Sequence, residues 1–217
     1  MMMQAMPKRL HLLRNGMVSN PVEAVMIKVL LWDIDGTILD FLASEKAAIK
    51  KCFEIFELGT CTDEMVGEYS EINCRYWRML ERGEMTKPEI LVGRFEEFFE
   101  KKGIDVSVAP AFNEEYQVRL GDTICYKPGG REIVDYYKGK LLQCAVTNGT
   151  VVAQRKKLTN SGLDKIFDHI FISEEVGYEK PSLLLSSINP LIFFFCSIFY
   201  NNIPKIIKWR LSKGFIP

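Results

Sequence analysis

The sequence has little histidine and no closely paired cysteines. His11 and His169 are the only histidines among 217 residues, and the six cysteines include no C-x-x-C pair. A structural zinc site needs four Cys or His ligands at short spacings, so this composition argues against one. Scattered free thiols are typical of proteins in a reducing compartment, which predicts a cytoplasmic location.

Net charge is also absent, because 28 Lys and Arg residues balance 28 Asp and Glu residues. The sequence therefore gives no electrostatic reason to expect nucleic acid or a membrane surface as a partner. The apolar segment at residues 10–13 is too short for the core of a signal peptide. We expect residues 1–25 to be a disordered extension or the product of an upstream start site, with the folded domain beginning at Met26.

A long uninterrupted apolar run is missing as well. The window at residues 183–200 is rich in Leu, Ile and Phe, but Ser186, Ser187, Asn189 and Pro190 interrupt it. A membrane-spanning helix needs roughly 20 consecutive apolar residues. The window does not meet that length, so we favour a non-native or replaced C-terminus over an anchor, and a membrane-tethered form stays open as an alternative.

Two carboxylates follow the first apolar segment of the chain. Residues 27–32 are apolar without clean alternation, which favours a parallel strand covered on both faces and lying inside a sheet. Asp33 and Asp35 are two positions apart, so they would point to the same face, and Gly36 permits the abrupt turn that exposes them. This arrangement is a phosphoryl-transfer signature. The alternative is a turn in which the aspartates only cap backbone groups.

The remaining pattern predicts an α/β fold: a Rossmann-like parallel sheet with an inserted α-helical cap. Helical periodicity runs from residue 43 to about 121, with Thr86, Pro88 and Glu89 marking the start of a third helix and Gly103 its end. Strands are expected at residues 141–147 and 166–172. A helix at residues 152–158, closing near Gly162, would connect them by a right-handed crossover.

These elements suggest a division of the chain. Residues 26–40 and 125–181 would form the α/β core, residues 41–124 the cap, and residues 182–217 an atypical hydrophobic tail. Ligand sites of parallel sheets lie at the carboxyl ends of the strands, so the site is expected where Asp33 and Thr147 end their strands.

Three short motifs occur in order along this pattern. They are D-x-D-G-T at residues 33–37, an apolar strand ending in Thr at residues 145–149, and a Lys before Pro at Lys180. With these motifs the chain resembles the haloacid dehalogenase (HAD) superfamily of aspartate-nucleophile phosphatases from about Met26 to Pro181. Residues 173–177 and the cap stretch at residues 76–95 look like the bacterial pyrimidine 5′-nucleotidase branch, which is a weaker match.

The resemblance implies a phosphatase acting through an aspartyl-phosphate on Asp33, with Asp35 as proton shuttle and Lys180 as a fixed positive charge. It implies a magnesium ion held by Asp33 and Asp35, the latter through its backbone carbonyl. The substrate would be a nucleoside 5′-monophosphate or a similar small phosphoester. The residues expected to bind it lie beside the two aspartates or at the end of the second strand: Gly36, Thr37, Thr147, Asn148 and Gly149.

One acidic cluster expected from the family is missing. No Asp or Glu follows Glu179, although the family's fourth motif supplies magnesium-holding acids on the next strand. Metal retention should then be poor, and the strand at residues 27–32 would have an unpaired edge unless residues 191–200 fill the position. We expect a truncated or frame-altered form of a working hydrolase. The alternative is an impaired remnant that binds phosphate or a protein partner without turnover.

The cap residues are interpreted from their types alone. The aromatic residues of the cap are expected to build its core, although one of them could instead stack on a substrate base: Trp77, Phe95, Phe98 and Phe99. Its arginines are interpreted as surface charges, with clamping of the substrate as the alternative: Arg75, Arg78 and Arg94. The sequence does not determine the oligomeric state.

Overall fold

A parallel sheet of three strands forms the centre of the computed structural model, which describes residues 29–180. The strands are β1 (Val29–Trp32), β2 (Leu142–Thr147) and β3 (His169–Ile172), in the order β1-β2-β3. Trp32 pairs with Ala145, and Thr147 pairs with Ile172. The carboxyl ends of the three strands therefore meet at one edge of the sheet, as predicted for an α/β fold.

The first strand has a partner on one side only within the described residues. β1 pairs with β2, and no strand of residues 29–180 pairs with its other edge. The prediction that β1 lies inside the sheet is therefore not met in this part of the chain. The segment at residues 191–200, named as the one that could fill that edge, lies outside the described residues. The expectations for residues 1–25 and 182–217 fall outside them too.

Four long helices follow β1, in the segment that the periodicity predicted to be helical. They are α1 (Phe41–Ile55), α2 (Asp63–Glu81), α3 (Lys87–Lys102) and α4 (Ala109–Arg119), and a short 3₁₀ turn at Val106–Val108 precedes α4. The predicted start of α3 is confirmed, because the Glu89 carboxylate accepts hydrogen bonds from the N–H and hydroxyl of Thr86 at 2.7 and 2.6 Å. Gly103 ends α3 in the left-handed conformation, with φ 67°.

Aromatic rings fill the space between these helices. The Tyr69 and Phe95 rings stack with their centroids 4.9 Å apart, and Phe98 and Phe99 are also fully buried. The prediction that Phe95, Phe98 and Phe99 build the cap core is confirmed, and their burial leaves them no face for a substrate base. Trp77 is half-buried and does not belong to this buried core.

A buried polar chain crosses the same helices. Arg94 is 1% exposed; it donates hydrogen bonds from Nη1 to Asn73 Oδ1 at 2.6 Å and from Nη2 to Asn113 Oδ1 at 3.1 Å. Asn73 in turn donates from Nδ2 to Glu45 Oε1 at 2.6 Å. The interpretation of Arg94 as a surface charge is therefore wrong. Its guanidinium joins three helices inside the cap, and its burial there also argues against a substrate-clamping role.

Three further helices complete the part that carries the sheet: α5 (Gly130–Tyr137), α6 (Val151–Ser161) and α7 (Ser173–Val176). Gly162 ends α6 with φ 72°, as expected. β3 begins at His169 rather than at residue 166, because Leu163–Lys165 forms a 3₁₀ turn that Ile166 terminates. Among residues 29–180, no helix combines the length and apolar character needed to cross a membrane.

Candidate active site

Asp33 stands immediately after β1 with both carboxylate oxygens occupied. Its Oδ1 accepts a hydrogen bond from Lys180 Nζ at 2.5 Å, and its Oδ2 accepts one from the Thr37 hydroxyl at 2.7 Å. Lys180 Nζ also donates to the carbonyl oxygen of Val146, near the end of β2, at 2.9 Å. The side chains of Lys180 and Asp33 are 21% and 18% exposed, so solvent screens this ion pair only in part.

A tight turn brings Thr37 back towards Asp33. The Ile34 carbonyl accepts hydrogen bonds from the N–H groups of Ile38 and Leu39, each at 2.9 Å, and the Gly36 N–H donates to the Leu39 carbonyl at 2.8 Å. Gly36 has φ 81°, a left-handed conformation that costs glycine little. The predicted need for glycine at this turn is confirmed by that backbone geometry.

Asn148 ties the loop after β2 to the backbone of Lys180. Its Nδ2 donates to the Lys180 carbonyl at 3.0 Å, and its Oδ1 accepts from the Lys180 N–H at 2.8 Å. This reciprocal pair holds the segment that carries Lys180 against the end of β2. The side chain of Asn148 is thus engaged in the scaffold, and a role in substrate binding would fall to its backbone. Thr147, beside it, is 2% exposed.

Asp35 contacts a second pair of side chains that the sequence analysis did not identify. Lys157 forms a salt bridge with it, and Gln154 donates it a hydrogen bond. Both residues belong to α6, three positions apart, which places them on one face of that helix. The available signal was weak: two polar side chains one turn apart on the helix that follows Thr147.

Lys87, the first residue of α3, was also missed. Its Nζ donates to the Gly149 carbonyl at 3.0 Å and to the Ser173 hydroxyl at 2.9 Å, and it forms a salt bridge with Glu179 at 2.5 Å. The Lys87 side chain is 12% exposed. One lysine therefore joins the helical insertion to the loop after β2 and to the start of α7, next to the segment that carries Lys180.

Two oxygen groups among the described residues are of the kind that magnesium prefers. Carboxylate and carbonyl oxygens are its hard ligands, and the Asp33 carboxylate and the backbone carbonyl of Asp35 are such groups, next to the end of β1. Residues 29–180 contain no group of three or more His, Cys, Asp or Glu side chains placed to hold a metal. The donor set fits magnesium in kind, and water, phosphate or other residues would have to complete it.

Comparisons with known proteins agree with this architecture. A family model described as haloacid dehalogenase-like hydrolase matches residues 27–194. The HAD-hydrolase YfnB of Bacillus subtilis is 33% identical over 154 residues, which cover 71% of this chain and 65% of YfnB. The pyrimidine 5′-nucleotidase PynA of Streptococcus pneumoniae is 30% identical over 161 residues, covering 72% of this chain and 66% of PynA. The pyrimidine 5′-nucleotidase YjjG of Escherichia coli is 26% identical over 153 residues, which cover 70% of this chain and 65% of YjjG.

The similarity extends to three dimensions. A crystal structure of YfnB bound to magnesium matches with a TM-score of 0.67 and 32% identity, covering 72% of this chain and 68% of that protein. The chain spans 65% and 66% of the lengths of YfnB and PynA, respectively, in the sequence comparisons.

Proposed function

Because the chain belongs to the haloacid dehalogenase-like hydrolase family, we propose that it hydrolyses phosphoric monoesters through an aspartyl-phosphate formed on Asp33. The observation that carries this proposal is the held carboxylate at the carboxyl end of β1. Lys180 and Thr37 engage its two oxygens at 2.5 and 2.7 Å. A fixed carboxylate beside a fixed ammonium suits attack on phosphorus, because the ammonium can offset charge on the phosphoryl oxygens.

The proposed reaction has two displacements. An oxygen of Asp33 attacks the phosphorus, the ester P–O bond breaks, and the leaving oxygen takes a proton from Asp35. Asp35 then accepts a proton from a water molecule that attacks the phosphorus of the aspartyl-phosphate. This second step releases inorganic phosphate and regenerates the Asp33 carboxylate. Backbone N–H groups near Thr147, Asn148 and Gly149 would bind the phosphoryl oxygens.

Magnesium is part of the proposal, with the Asp33 side chain and the Asp35 backbone carbonyl as its protein ligands. When bound, the ion would neutralise charge on the phosphate and so reduce its repulsion of the nucleophile. The support is the hard-oxygen character of these donors and the magnesium named for the YfnB structure.

The proposed substrate class is the nucleoside 5′-monophosphates. Two relatives named as pyrimidine 5′-nucleotidases, PynA and YjjG, support this choice at 30% and 26% identity. We further propose that the helical segment α1–α4 acts as the cap over the site, with Lys87 as one of its contacts to the loops that surround Lys180.

The test is turnover by the full chain of p-nitrophenyl phosphate and UMP in the presence of magnesium. The parent should release phosphate from both, and Asp33→Asn should release none, because the amide is a poor nucleophile. Asp105→Asn is the matched control, since Asp105 is exposed and caps the 3₁₀ turn at Val106–Val108. Equal rates for the parent and Asp33→Asn would refute the assignment of the nucleophile.

The competing proposal is a form that binds phosphate without turnover. It is supported by residues 29–180, which contain no group of three or more His, Cys, Asp or Glu side chains placed to hold a metal, because a weakly held metal would leave the phosphate charge poorly neutralised. Saturable binding of inorganic phosphate by calorimetry, together with no phosphate release from either ester, would select this alternative over the hydrolase.

A further inference from the structure

Asp35 is held by two donors from one turn of α6. Lys157 Nζ lies 2.8 Å from Oδ1 and 2.9 Å from Oδ2, so the ammonium bridges both oxygens of the carboxylate. Gln154 Nε2 donates a third hydrogen bond, to Oδ2, at 2.7 Å. Three donor contacts fix both the position of this carboxylate and the plane in which it lies.

Both donors are buried, which separates this contact from an ordinary surface ion pair. Lys157 and Gln154 are 1% and 2% exposed, respectively. The Lys157 ammonium also lies 5.0 Å from the centre of the Phe41 ring, at the start of α1. Moving an ammonium out of water is costly, so a lysine this deeply buried depends on its partner carboxylate.

The rotation of α6 that presents these donors is itself fixed by the residues before it. The Thr150 hydroxyl accepts from the Ala153 N–H at 3.3 Å and donates to Gln117 Oε1, on α4, at 2.9 Å. Gly149 leaves room for Gln154 to pass, because a Cβ there would lie 2.7 Å from Gln154 Nε2. The loop after β2 thus sets the helix face that reaches Asp35.

We propose that Lys157 and Gln154 are positioning residues for Asp35, and that they aim its carboxyl group at the leaving oxygen. This inference rests on the proposed function, in which the protonated Asp35 carboxyl gives its proton to that oxygen as the P–O bond breaks. The Lys157 ammonium and the Gln154 amide then hold the Asp35 carboxylate that the proton transfer leaves. An alkyl ester such as UMP needs the proton, because its leaving group would otherwise depart as a strongly basic alkoxide. p-Nitrophenyl phosphate does not need it, because p-nitrophenolate is a stable anion that leaves without a proton.

The test compares the two substrates within each enzyme. Lys157→Met and Gln154→Leu remove the donors while keeping similar side-chain size, and Lys156→Met is the matched control. Lys156 lies on the same helix, but it contacts Asp122 and the Val118 carbonyl instead. The quantity to measure is kcat/KM with magnesium, since it covers the steps through formation of the aspartyl-phosphate and leaves out the later attack by water.

We expect kcat/KM for UMP to fall by about 100-fold or more in Lys157→Met, the lower end of what general acid catalysis contributes. The value for p-nitrophenyl phosphate should change by no more than about 5-fold, because the acid contributes little there. Gln154→Leu should shift the ratio of the two values in the same direction by a smaller factor. Lys156→Met should leave the ratio unchanged.

Equal falls in kcat/KM for UMP and for p-nitrophenyl phosphate in both variants would overturn the inference, because a structural defect lowers the two kcat/KM values together. If Lys157→Met does not fold, as judged by circular dichroism, Gln154→Leu decides by itself: an unchanged ratio overturns the inference. If the parent turns over neither ester, the proposed function fails and this inference falls with it. If the parent turns over both esters and the ratio of their kcat/KM values is unchanged in the variants, the positioning role is refuted and the proposed function stands.

Discussion

Replacing Arg94 with methionine should destabilise the protein strongly. The guanidinium is 1% exposed, donates hydrogen bonds to Asn73 and Asn113, and lies 5.0 Å from the centre of the Phe95 ring. Methionine keeps much of the packing but removes the charge and both hydrogen bonds. Removing one partner of a buried charged network costs about 3–5 kcal/mol. For a chain of this size that corresponds to a fall in Tm of about 6–20 °C.

The loss of stability in Arg94→Met should grow as pH rises, because Arg94 is a counter-charge for Glu45. Burial raises the pKa of Glu45 above its usual 4.5, and the nearby Arg94 acts to lower it. With a raised pKa, the folded protein binds more protons than the unfolded chain above pH 4.5, so this group's contribution to stability declines as pH rises towards the folded-state pKa. Without Arg94 that pKa rises further, and the penalty at neutral pH increases.

The assay is urea unfolding of the full chain at about pH 4.5 and about pH 7, between which Glu45 in the unfolded state changes from about half ionised to almost fully ionised. Arg94→Lys is the control that retains the charge, and the double variant Glu45→Gln/Arg94→Met should recover part of the loss at neutral pH. A free energy of unfolding within about 1 kcal/mol of the parent would refute the reasoning, since it lies well below the cost of an uncompensated buried charge. So would a loss that is the same at both pH values.

Two further substitutions test the supports of the site. Gly149→Ala should cost about 1–3 kcal/mol of stability and lower kcat/KM, because φ is 150° and the new Cβ would lie 2.7 Å from Gln154 Nε2. Gly139→Ala, at φ 73° with open space around it, is the control that adds strain without the clash; matching losses of activity in the two would contradict the account. Lys87→Met should raise KM for UMP and lower the free energy of unfolding by about 1–3 kcal/mol, because it removes the hydrogen bonds that Lys87 donates to the Gly149 carbonyl and the Ser173 hydroxyl. Lys102→Met, which breaks the ion pair with Glu68 near the other end of α3, should leave KM unchanged, and an equal KM shift in both variants would count against a local role for Lys87.

The sequence predicted well those features that depend on neighbouring residues. The end of β1 at Trp32, the turn at Gly36 and the helix ends at Gly103 and Gly162 all follow from local preferences. The start of β3 was predicted too early because apolar residues alone do not reveal the 3₁₀ turn at Leu163–Lys165 that precedes it.

Contacts between distant residues could not be predicted in this way. Lys157 lies 122 positions from the Asp35 it holds, and which face of α6 meets Asp35 depends on tertiary packing. Arg94 looked like a surface charge because no local signal shows that Asn73 and Asn113, on two other helices, will meet it inside the cap. Such partners become visible only when the helices are assembled.

The central claim is that phosphate becomes covalently attached to Asp33 during turnover. The direct measurement is peptide mass spectrometry of the full chain, quenched in acid shortly after mixing with UMP and magnesium. The account predicts one added phosphoryl group on the peptide that contains Asp33, and its loss in Asp33→Asn. A phosphoryl group on any other side chain, or continued phosphate release by Asp33→Asn, would contradict it.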